Sequence, residues 1–491
     1  MLRAVFVTGF AVVASVASAE APPRVRAVVE TPVEAFTPSQ RPVVPQISPY
    51  LYLNRCVGGC IVHGGTSNDA RTQHSSIPVA GDYTMAEFAS DVGIAGSAAD
   101  ADWAAVVKCV QEVYSPYGIM VSDAVPPDAS YTEAIIAGQP GDIGRPVDNL
   151  GVAPIAANCA AQDNVISFTF ANHHPGLGTG RLLDICWTAA QESAHAFGLD
   201  HEYQFTDGTS TCRDPMTYRV DCGGQKFFRN SRAACGEDAV RACRCGGTQN
   251  SHAALLLVFG AGTPTTSAPT VTLEGVAGTA IPAGRVVVHA TAAAQRGVAR
   301  VELFLNGSRW AVAPGAPFGT TGQPASDYTL TIPTEVPNSV IDMMVRATDD
   351  LGVATDSAIK TVTRVAACTD ASGCLADQRC TDGKCAYPAP AGVLGASCPY
   401  SQYCASWDCI ETDQGKKCAS ECEVDEPASC PANFACADTG GGKGFCVEAA
   451  SGGCCSVQGR GQPWSALVLA VVAMASVLAR RRRRDGTIAP S

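Results

Sequence analysis

The distribution of cysteines is the feature that most limits how this chain of 491 residues can fold. Ten of the 24 cysteines lie in 56–245, twelve in 368–446 and a pair at 454–455. Ten and twelve are even numbers, as complete pairing within each group requires, and so many thiols would be a liability in a reducing cytosol. We therefore expect an exported protein in which disulfides stabilise two separate parts of the chain.

The first residues are typical of a secretory signal peptide. Arg3 precedes an apolar run from Ala4 to Val16, and Ala17-Ser18-Ala19 offers the small residues of a cleavage site. This pattern predicts a signal peptide over 1–19. The Pro-rich residues 20–48 that follow are expected to form an extended linker or a short pro-segment.

The other end of the chain predicts a single membrane span. A spacer over 449–463 leads to a charge-free run from Trp464 to Ala479, and five arginines follow it. As a helix this run would be about 24 Å long, slightly short of a bilayer core, although flanking arginines can snorkel. The arginines would hold this end in the cytoplasm. We predict a transmembrane segment with its arginine cluster over 464–484 and a short tail over 485–491.

This C-terminal region as a whole resembles the MYXO-CTERM sorting signals of exported myxobacterial proteins. The shared features are Gly452-Gly453-Cys454-Cys455, the spacer, the apolar run and the arginines. The resemblance implies that a membrane protease removes the tail and that the protein reaches the cell surface or outer envelope, or is released. The membrane would then be a partner only before processing. A plain single-span anchor is the alternative.

Composition excludes some classes of protein. Hydrophobic residues make up 46% of the chain and charged residues 16%, which argues against a wholly disordered or coiled-coil protein. The formal net charge of −12 argues against a nucleic-acid partner, which would require basic patches.

The region 49–262 mixes helical and strand patterns and predicts an α/β domain. Thr263-Pro264-Thr265-Thr266-Ser267 marks its end. The pattern predicts strands over Tyr50–Leu53, Ile119–Val121 and Asn164–Phe170, a helix over Asp102–Tyr114 capped by Asp100 or Asp102, and a long buried helix over Leu182–Phe197 that Gly198 stops.

Two further regions follow. Residues 267–366 show about seven short β patterns separated by turns, which predicts a β-sandwich. With its late turn Ala347-Thr348-Asp349-Asp350-Leu351-Gly352, this region resembles a bacterial immunoglobulin-like repeat. Residues 367–448 contain a repeated spacing, seen at Cys374, Cys380 and Cys385 and again at Cys398, Cys404 and Cys409. With no histidine there, we expect small disulfide-rich repeats rather than a zinc ribbon.

One stretch concentrates residues that bind metals and move protons. It runs from Gln191 to His201 and reads QESAHAFGLDH. On a helix, Gln191 and His195 would project from one face, and Gly198 could turn the chain so that His201 approaches the same point. Glu192 lies beside that point, where a carboxylate could take a proton from a bound water. Zinc hydrolases need this arrangement of ligands, an open position and a nearby base.

Met216 and Tyr218 follow shortly afterwards, in Asp214-Pro215-Met216-Thr217-Tyr218. A helix signature H-E-x-x-H-x-x-G-x-x-H followed by a methionine turn defines the metzincin peptidases, and the region 49–262 resembles them. The resemblance implies an α/β fold with a mixed sheet and an active-site helix, zinc ligation by His195 and His201, general-base work by Glu192, and a supporting turn at Met216. Tyr218 would contact the metal or an oxyanion.

The chain departs from this family at one ligand, because Gln191 stands where the first histidine is expected. A glutamine carbonyl oxygen can bind a metal, but it is a weaker zinc ligand than imidazole. Three alternatives are open. Gln191 ligates weakly, another residue such as His173 or His174 supplies the third ligand, or the metal site is lost and the fold serves as a binding scaffold.

Two functions therefore compete at this stage. The first is an exported, cell-surface zinc metalloendopeptidase that hydrolyses protein or peptide substrates through zinc-activated water. The second is a catalytically inactive pseudo-peptidase that serves as a surface adhesion or binding protein. Gln191 favours the second, whereas Glu192 and Met216 favour the first.

Overall fold

The structure is a computed structural model, which describes residues 27–31, 47–126, 130–146, 148–316, 318, 325–424, 429–440 and 443–449. The predicted signal peptide, the apolar run and the arginine cluster lie outside these residues. Within them, no helix combines the length and the apolar character that crossing a membrane requires.

The first region comprises 49–262 together with residues 27–31, which form a strand of its sheet although 20–48 was predicted to be a linker or pro-segment. It contains eleven strands and three α-helices among its described residues. The helices are α1 (Asp100–Tyr114), α2 (Gly178–Ala196) and α3 (Ser251–Phe259). The strands are β1 (Ala27–Thr31), β2 (Tyr50–Asn54), β3 (Cys60–Gly64), β4 (His74–Ser75), β5 (Gly81–Met85), β6 (Met120–Ser122), β7 (Thr132–Ile136), β8 (Gly151–Ala156), β9 (Ile166–Thr169), β10 (Glu202–Phe205) and β11 (Ala233–Cys235).

A six-stranded mixed sheet organises this region, in the order β1-β8-β9-β7-β2-β6. Every neighbouring pair is parallel except β8 and β9, which are antiparallel. The predicted strands at Tyr50, Ile119 and Asn164 correspond to β2, β6 and β9. Strands β7, β8 and β9 are buried at every position, as expected where both faces of a sheet are covered. The predicted mixed sheet is therefore present.

Helix α2 packs against this sheet and against α1. The disulfide Cys109–Cys186 joins the two helices, and the Tyr114 hydroxyl lies 2.7 Å from the Ser193 hydroxyl. The predicted capping of α1 by an aspartate is wrong, because its N-cap is Ala99 without a side-chain cap. Asp100 instead accepts a hydrogen bond from Arg55, and Asp102 accepts one from the Asp91 amide.

The second region forms two sheets around one shared core, as the β-sandwich prediction requires. Strands β12, β14 and β17 form one sheet, and β13, β20, β18, β15 and β16 form the other, with β19 on β18. Asn306 and Gly307, both at positive φ, make the hairpin turn between β15 and β16. The strands are β12 (Thr270–Glu274), β13 (Ala280–Ile281), β14 (Val286–Ala293), β15 (Val298–Leu305), β16 (Ser308–Pro314), β17 (Ser326–Ile332), β18 (Val340–Asp349), β19 (Ala354–Asp356) and β20 (Lys360–Arg364).

A buried ionic cluster joins the first region to the sandwich. Asp350 receives hydrogen bonds from the Arg296 guanidinium at 2.7 and 2.9 Å and from Arg229 Nη1 at 3.0 Å. The side chains of all three are at most 1% exposed. The Phe227 ring lies 4.5 Å from the Arg296 guanidinium carbon. Because Arg229 belongs to the first region and the other two to the sandwich, the cluster fixes one against the other.

The third region consists of three disulfide-bonded modules. Each contains four cysteines, in which the first pairs with the third and the second with the fourth: 368–380 and 374–385, 398–409 and 404–418, 422–436 and 430–446. All twelve cysteines are therefore disulfide-bonded, which confirms the disulfide prediction. The strands are β21 (Arg379–Thr381), β22 (Lys384–Ala386), β23 (Asp408–Thr412), β24 (Gly415–Ala419), β25 (Glu421–Glu423), β26 (Phe434–Gly440) and β27 (Lys443–Glu448).

Each repeat begins at a different cysteine from the one that the sequence spacing suggested. The spacing aligns Cys374 with Cys398, but these are the second cysteine of one module and the first of the next. Equal spacing reflects loop length alone, whereas the module is defined by pairing. The ten cysteines of the first region also pair among themselves: 56–60, 109–186, 159–245, 212–222 and 235–243.

We expect peptide mapping of the unreduced protein to recover these eleven disulfides. Each module should release its two bridges as one linked peptide group, because the two loops interlock. Mass spectrometry after digestion without a reductant measures this directly. A bridge between two modules, or free thiol at any of the 22 cysteines, would contradict the assignment.

Replacing Asp350 by Asn should destabilise the protein by about 3–5 kcal/mol, because two buried guanidinium groups lose their counterion. The matched control is Asp356→Asn, which breaks an exposed pair with Arg346 and should change stability by less than about 1 kcal/mol. Denaturant unfolding of both variants provides the comparison. Equal effects would contradict a structural role for the buried cluster.

The same cluster predicts a pH dependence. Burial raises the pKa of Asp350, but the guanidinium groups of Arg296 and Arg229 outweigh it and hold that pKa below its usual value. The stabilisation is therefore present above the unfolded-state pKa of about 3.9 and is lost as pH falls through the lower folded-state pKa. The difference in unfolding free energy between wild type and Asp350→Asn should shrink at acidic pH.

Candidate metal centre

A tight turn at the end of α2 brings the two predicted histidine ligands together. Gly198 follows the helix with a φ of +94°, a conformation that favours glycine. A Cβ atom at this position would lie 2.1 Å from the carbonyl oxygen of Cys159, so a larger residue would also clash. The turn sends the chain back, and His201 comes to lie against His195.

The two imidazole rings face each other through the same nitrogen. His195 Nε2 lies 2.9 Å from His201 Nε2. His195 Nδ1 lies 2.7 Å from the Leu199 carbonyl oxygen, and His201 Nδ1 lies 2.9 Å from Glu237 Oε1. Because both Nδ1 atoms face acceptors, they carry the protons, and in neutral rings both Nε2 atoms present lone pairs.

This geometry fits a metal ion. Two lone pairs at such a distance repel each other unless a cation or a proton lies between them. Tetrahedral zinc would separate two imidazole nitrogens by about 3.3 Å, which is a small movement from the observed distance. Burial lowers the pKa of His195 to about 3, with His201 as the next cause, so the ring is neutral at pH 7 and able to bind a metal.

A charged network that the sequence analysis missed orients His201. Arg241 donates to Glu237 Oε1 at 2.6 Å and to both carboxylate oxygens of Asp200, and the Asp200 carboxylate accepts from the His201 amide. Hydrogen bonds from His201 and Arg241 hold the pKa of Glu237 well below its usual value. Carboxylates of this kind fix the tautomer of metal-binding histidines. The sequence offered one signal for this network. Glu237 and Arg241 have opposite charges and lie four residues apart, between the disulfide-bonded Cys235 and Cys243.

Gln191 and Glu192 place unpartnered polar atoms in the same buried part of α2. Gln191 is 2% exposed and Glu192 is fully buried. Neither Gln191 Nε2 nor either carboxylate oxygen of Glu192 has a hydrogen-bond partner among the described residues. Burial raises the pKa of Glu192 well above its usual value. Unpartnered buried polar groups destabilise a fold, so their concentration here indicates a place built for a ligand.

Strand β8 presses against Glu192. A Cβ atom at Gly151 would lie 2.6 Å from Glu192 Cγ, so only glycine fits there. Gly151, the first residue of β8, therefore lies directly beside the candidate base Glu192.

The predicted supporting residues are tied to His201 and to the residue that follows it. Met216 is fully buried in the core that also contains Phe197 and Leu199. Its amide donates to Asp214 Oδ1 at 2.8 Å, and its carbonyl accepts from the Glu202 amide. The Tyr218 ring packs on the His201 ring with 4.5 Å between centroids. These contacts bring both residues to the predicted site.

The alternative third ligands occupy a different place. His174 Nδ1 lies 2.9 Å from Asp184 Oδ2, and Asp184 precedes Gln191 on α2 by seven residues, or about 10 Å of helix. His174 is therefore anchored away from the histidine pair. Neither His173 nor His174 joins His195 and His201 in the described structure.

A cavity of about 230 Å³ adjoins the site. Of the six predicted site residues, Gln191 and Tyr218 line it, together with Leu150, Trp187 and Lys226. The Lys226 ammonium lies 4.6 Å from the centre of the Trp187 ring, and burial lowers its pKa to about 8. The cavity thus lies next to Gln191 and is lined by both polar and aromatic side chains.

Comparisons with known proteins found few similarities to this chain. No protein-family model and no curated protein matches the chain. Among solved structures, it is similar to the fibronectin(III)-like modules of Clostridium thermocellum CbhA, with 21% identity over 19% of this chain and 94% of that chain and a TM-score of 0.16. A TM-score this low carries no argument about fold or function.

Replacing Glu237 by Ala should lower the affinity for zinc by about 10–100-fold, because His201 loses the acceptor that fixes its tautomer. The matched control is Asp221→Ala, which removes an exposed partner of Arg219. Zinc affinity is measured by competition with a chelating indicator. Equal affinities for the two variants would show that Glu237 does not support a metal ligand.

Proposed function

We propose that the region 49–262 is a zinc-dependent endopeptidase of the metzincin type. The observation that carries the proposal is the pair of Nε2 atoms 2.9 Å apart, each on a ring whose Nδ1 is bonded to an acceptor, next to the buried and unpartnered carboxyl of Glu192. If both rings are neutral with the proton on Nδ1, the two Nε2 lone pairs face each other, which favours a cation between them, and a structural glutamate would have hydrogen-bond partners.

Each residue then has a role. His195 and His201 would hold the metal through Nε2, and Gln191 would add its amide oxygen as a weaker third ligand. Zinc, when bound, would polarise the scissile carbonyl and acidify a water. A cation bound beside it would favour the ionised form of Glu192, which would then take the proton from the attacking water on a carboxylate oxygen and pass it to the leaving amine. Tyr218 would donate a hydrogen bond from its hydroxyl to the carbonyl oxygen, and the turn at Met216 would support the segment that carries His201.

The remaining regions fit an exported protein that acts on polypeptides outside the cytoplasm. Eleven disulfides are compatible with an oxidising location and disfavour a reducing one. We propose that the sandwich is an immunoglobulin-like repeat and that, together with the disulfide-bonded modules, it presents the peptidase region at the cell surface after the tail is processed.

A non-catalytic binding protein is the second candidate, and Gln191 is the observation that favours it. An amide oxygen holds zinc less well than an imidazole, so the site could bind peptides without cleaving them. Both candidates use the same cavity, but only the first needs the proton transfer by Glu192.

The substitution Gln191→His tests the proposal. It supplies an imidazole at the first ligand position of α2, and zinc affinity should rise by about tenfold or more. Peptide hydrolysis should rise with it. Glu192→Gln should abolish hydrolysis in both backgrounds while zinc still binds, because only the base is removed.

The measurements are zinc titration and cleavage of an unstructured protein substrate by wild type, Gln191→His and each of these with Glu192→Gln. Zinc binding without hydrolysis in Gln191→His would support the non-catalytic candidate. No gain in zinc affinity would contradict a metal site on α2.

A further inference from the structure

A second cavity, of about 290 Å³, lies where the sandwich meets the second disulfide-bonded module. Trp310 of the sandwich lines one side of the cavity, and Trp407 and Asp408 of the module line the other. The chain has five tryptophans, and two of them are in this one place. Ligand sites occur preferentially at such junctions between regions.

Both tryptophans stand on irregular backbone. Along the β15–β16 pair, Leu303 faces Ala311 and Phe304 faces Arg309, so Trp310 is the extra residue of a β-bulge. A bulge interrupts the ladder and re-aims a side chain, and bulges are frequent beside binding sites. Trp407 has a φ of +65°, which costs a residue other than glycine about 1–3 kcal/mol. Two departures from regular structure therefore serve the same cavity.

Neighbouring residues hold these rings in place. Phe304 packs edge-to-face on Trp407 with 5.8 Å between centroids. Arg309 Nη2 donates to the Trp407 carbonyl at 2.7 Å and also to Asp408, while its Nη1 donates to Glu302. Neither indole N–H donates to another described residue, so both are available to a ligand.

The chemistry of the cavity selects among ligands. Arg309 is engaged by two carboxylates, so no uncompensated cation is left for a phosphate or an acidic peptide. The lining of the cavity is mostly polar: the Gln402 amide, Asp408 and the indole N–H groups offer hydrogen bonds, and the two half-buried indoles supply the apolar part. A pyranose ring has the matching character, with an apolar face of C–H groups and a rim of hydroxyls.

We propose that this junction binds an uncharged polysaccharide chain, with Trp310 and Trp407 stacking on its sugar rings. The site is separate from α2 and needs no metal. The proposal is therefore independent of the peptidase assignment, and saccharide binding is measured in the presence of a chelator.

The probes are cellohexaose and chitohexaose, titrated into the purified exported protein by calorimetry. We expect binding of at least one of them, with affinity reduced about tenfold by Trp310→Ala and by Trp407→Ala. Trp310→Phe should recover most of the affinity, because it keeps an aromatic face. Tyr83→Ala, which removes a half-buried ring of the first region, is the matched control and should bind as wild type does.

Several outcomes would overturn the proposal. One is the absence of binding by wild type to either hexasaccharide at millimolar concentration. Another is unchanged affinity in Trp310→Ala, which retains the module disulfides and so tests the ring itself. Binding of tetramethylammonium that Trp310→Ala abolishes, without saccharide binding, would identify a cation site instead.

Discussion

Burial of helix α2 is the constraint on which the first region depends. From Ile185 to Ala196 every residue is buried, although this stretch contains a glutamine, a glutamate, a serine and a histidine. Ser193 and His195 find partners in Tyr114 and in the Leu199 carbonyl, whereas Gln191 and Glu192 do not. A helix with such a polar centre is stable only if its surroundings are held firmly. The disulfide to α1 and the close approach of Gly151 provide part of that support.

A line of contacts connects the methionine turn with the sandwich. The Asp214 carboxylate accepts hydrogen bonds from the amides of Met216 and Arg229 and from the Ser251 hydroxyl. The Arg229 side chain then reaches Asp350 and the Arg296 carbonyl. The sandwich therefore contributes directly to the position of the turn that contains Met216. A boundary drawn from composition at 263–267 separates two regions that are tightly packed together.

Local sequence patterns predicted those features of the structure that depend on residues close together in the sequence. The helix over 182–197, the turn at Gly198 and the approach of His201 to His195 follow from spacing within residues 182–201, and each is present, with the helix running over Gly178–Ala196. Glu237 lies 36 residues beyond His201, and Asp350 lies 121 beyond Arg229, so no periodicity could pair them. The bulge at Trp310 and the grouping of the cysteines into modules likewise depend on pairing between distant residues. Such pairing cannot be read from a single sequence.

The interlocked disulfides of the three modules have a mechanical consequence. In each module the second cysteine lies within the loop that the first disulfide closes. A force that pulls the two ends of a module apart is therefore carried by the two disulfides and by a short piece of backbone. The modules can stretch little until a bridge is reduced, and the segments between them, which no bridge crosses, must yield first. A protein held by this end would transmit tension to the sandwich and α2 almost without slack, and its response to load would depend on the surrounding redox conditions.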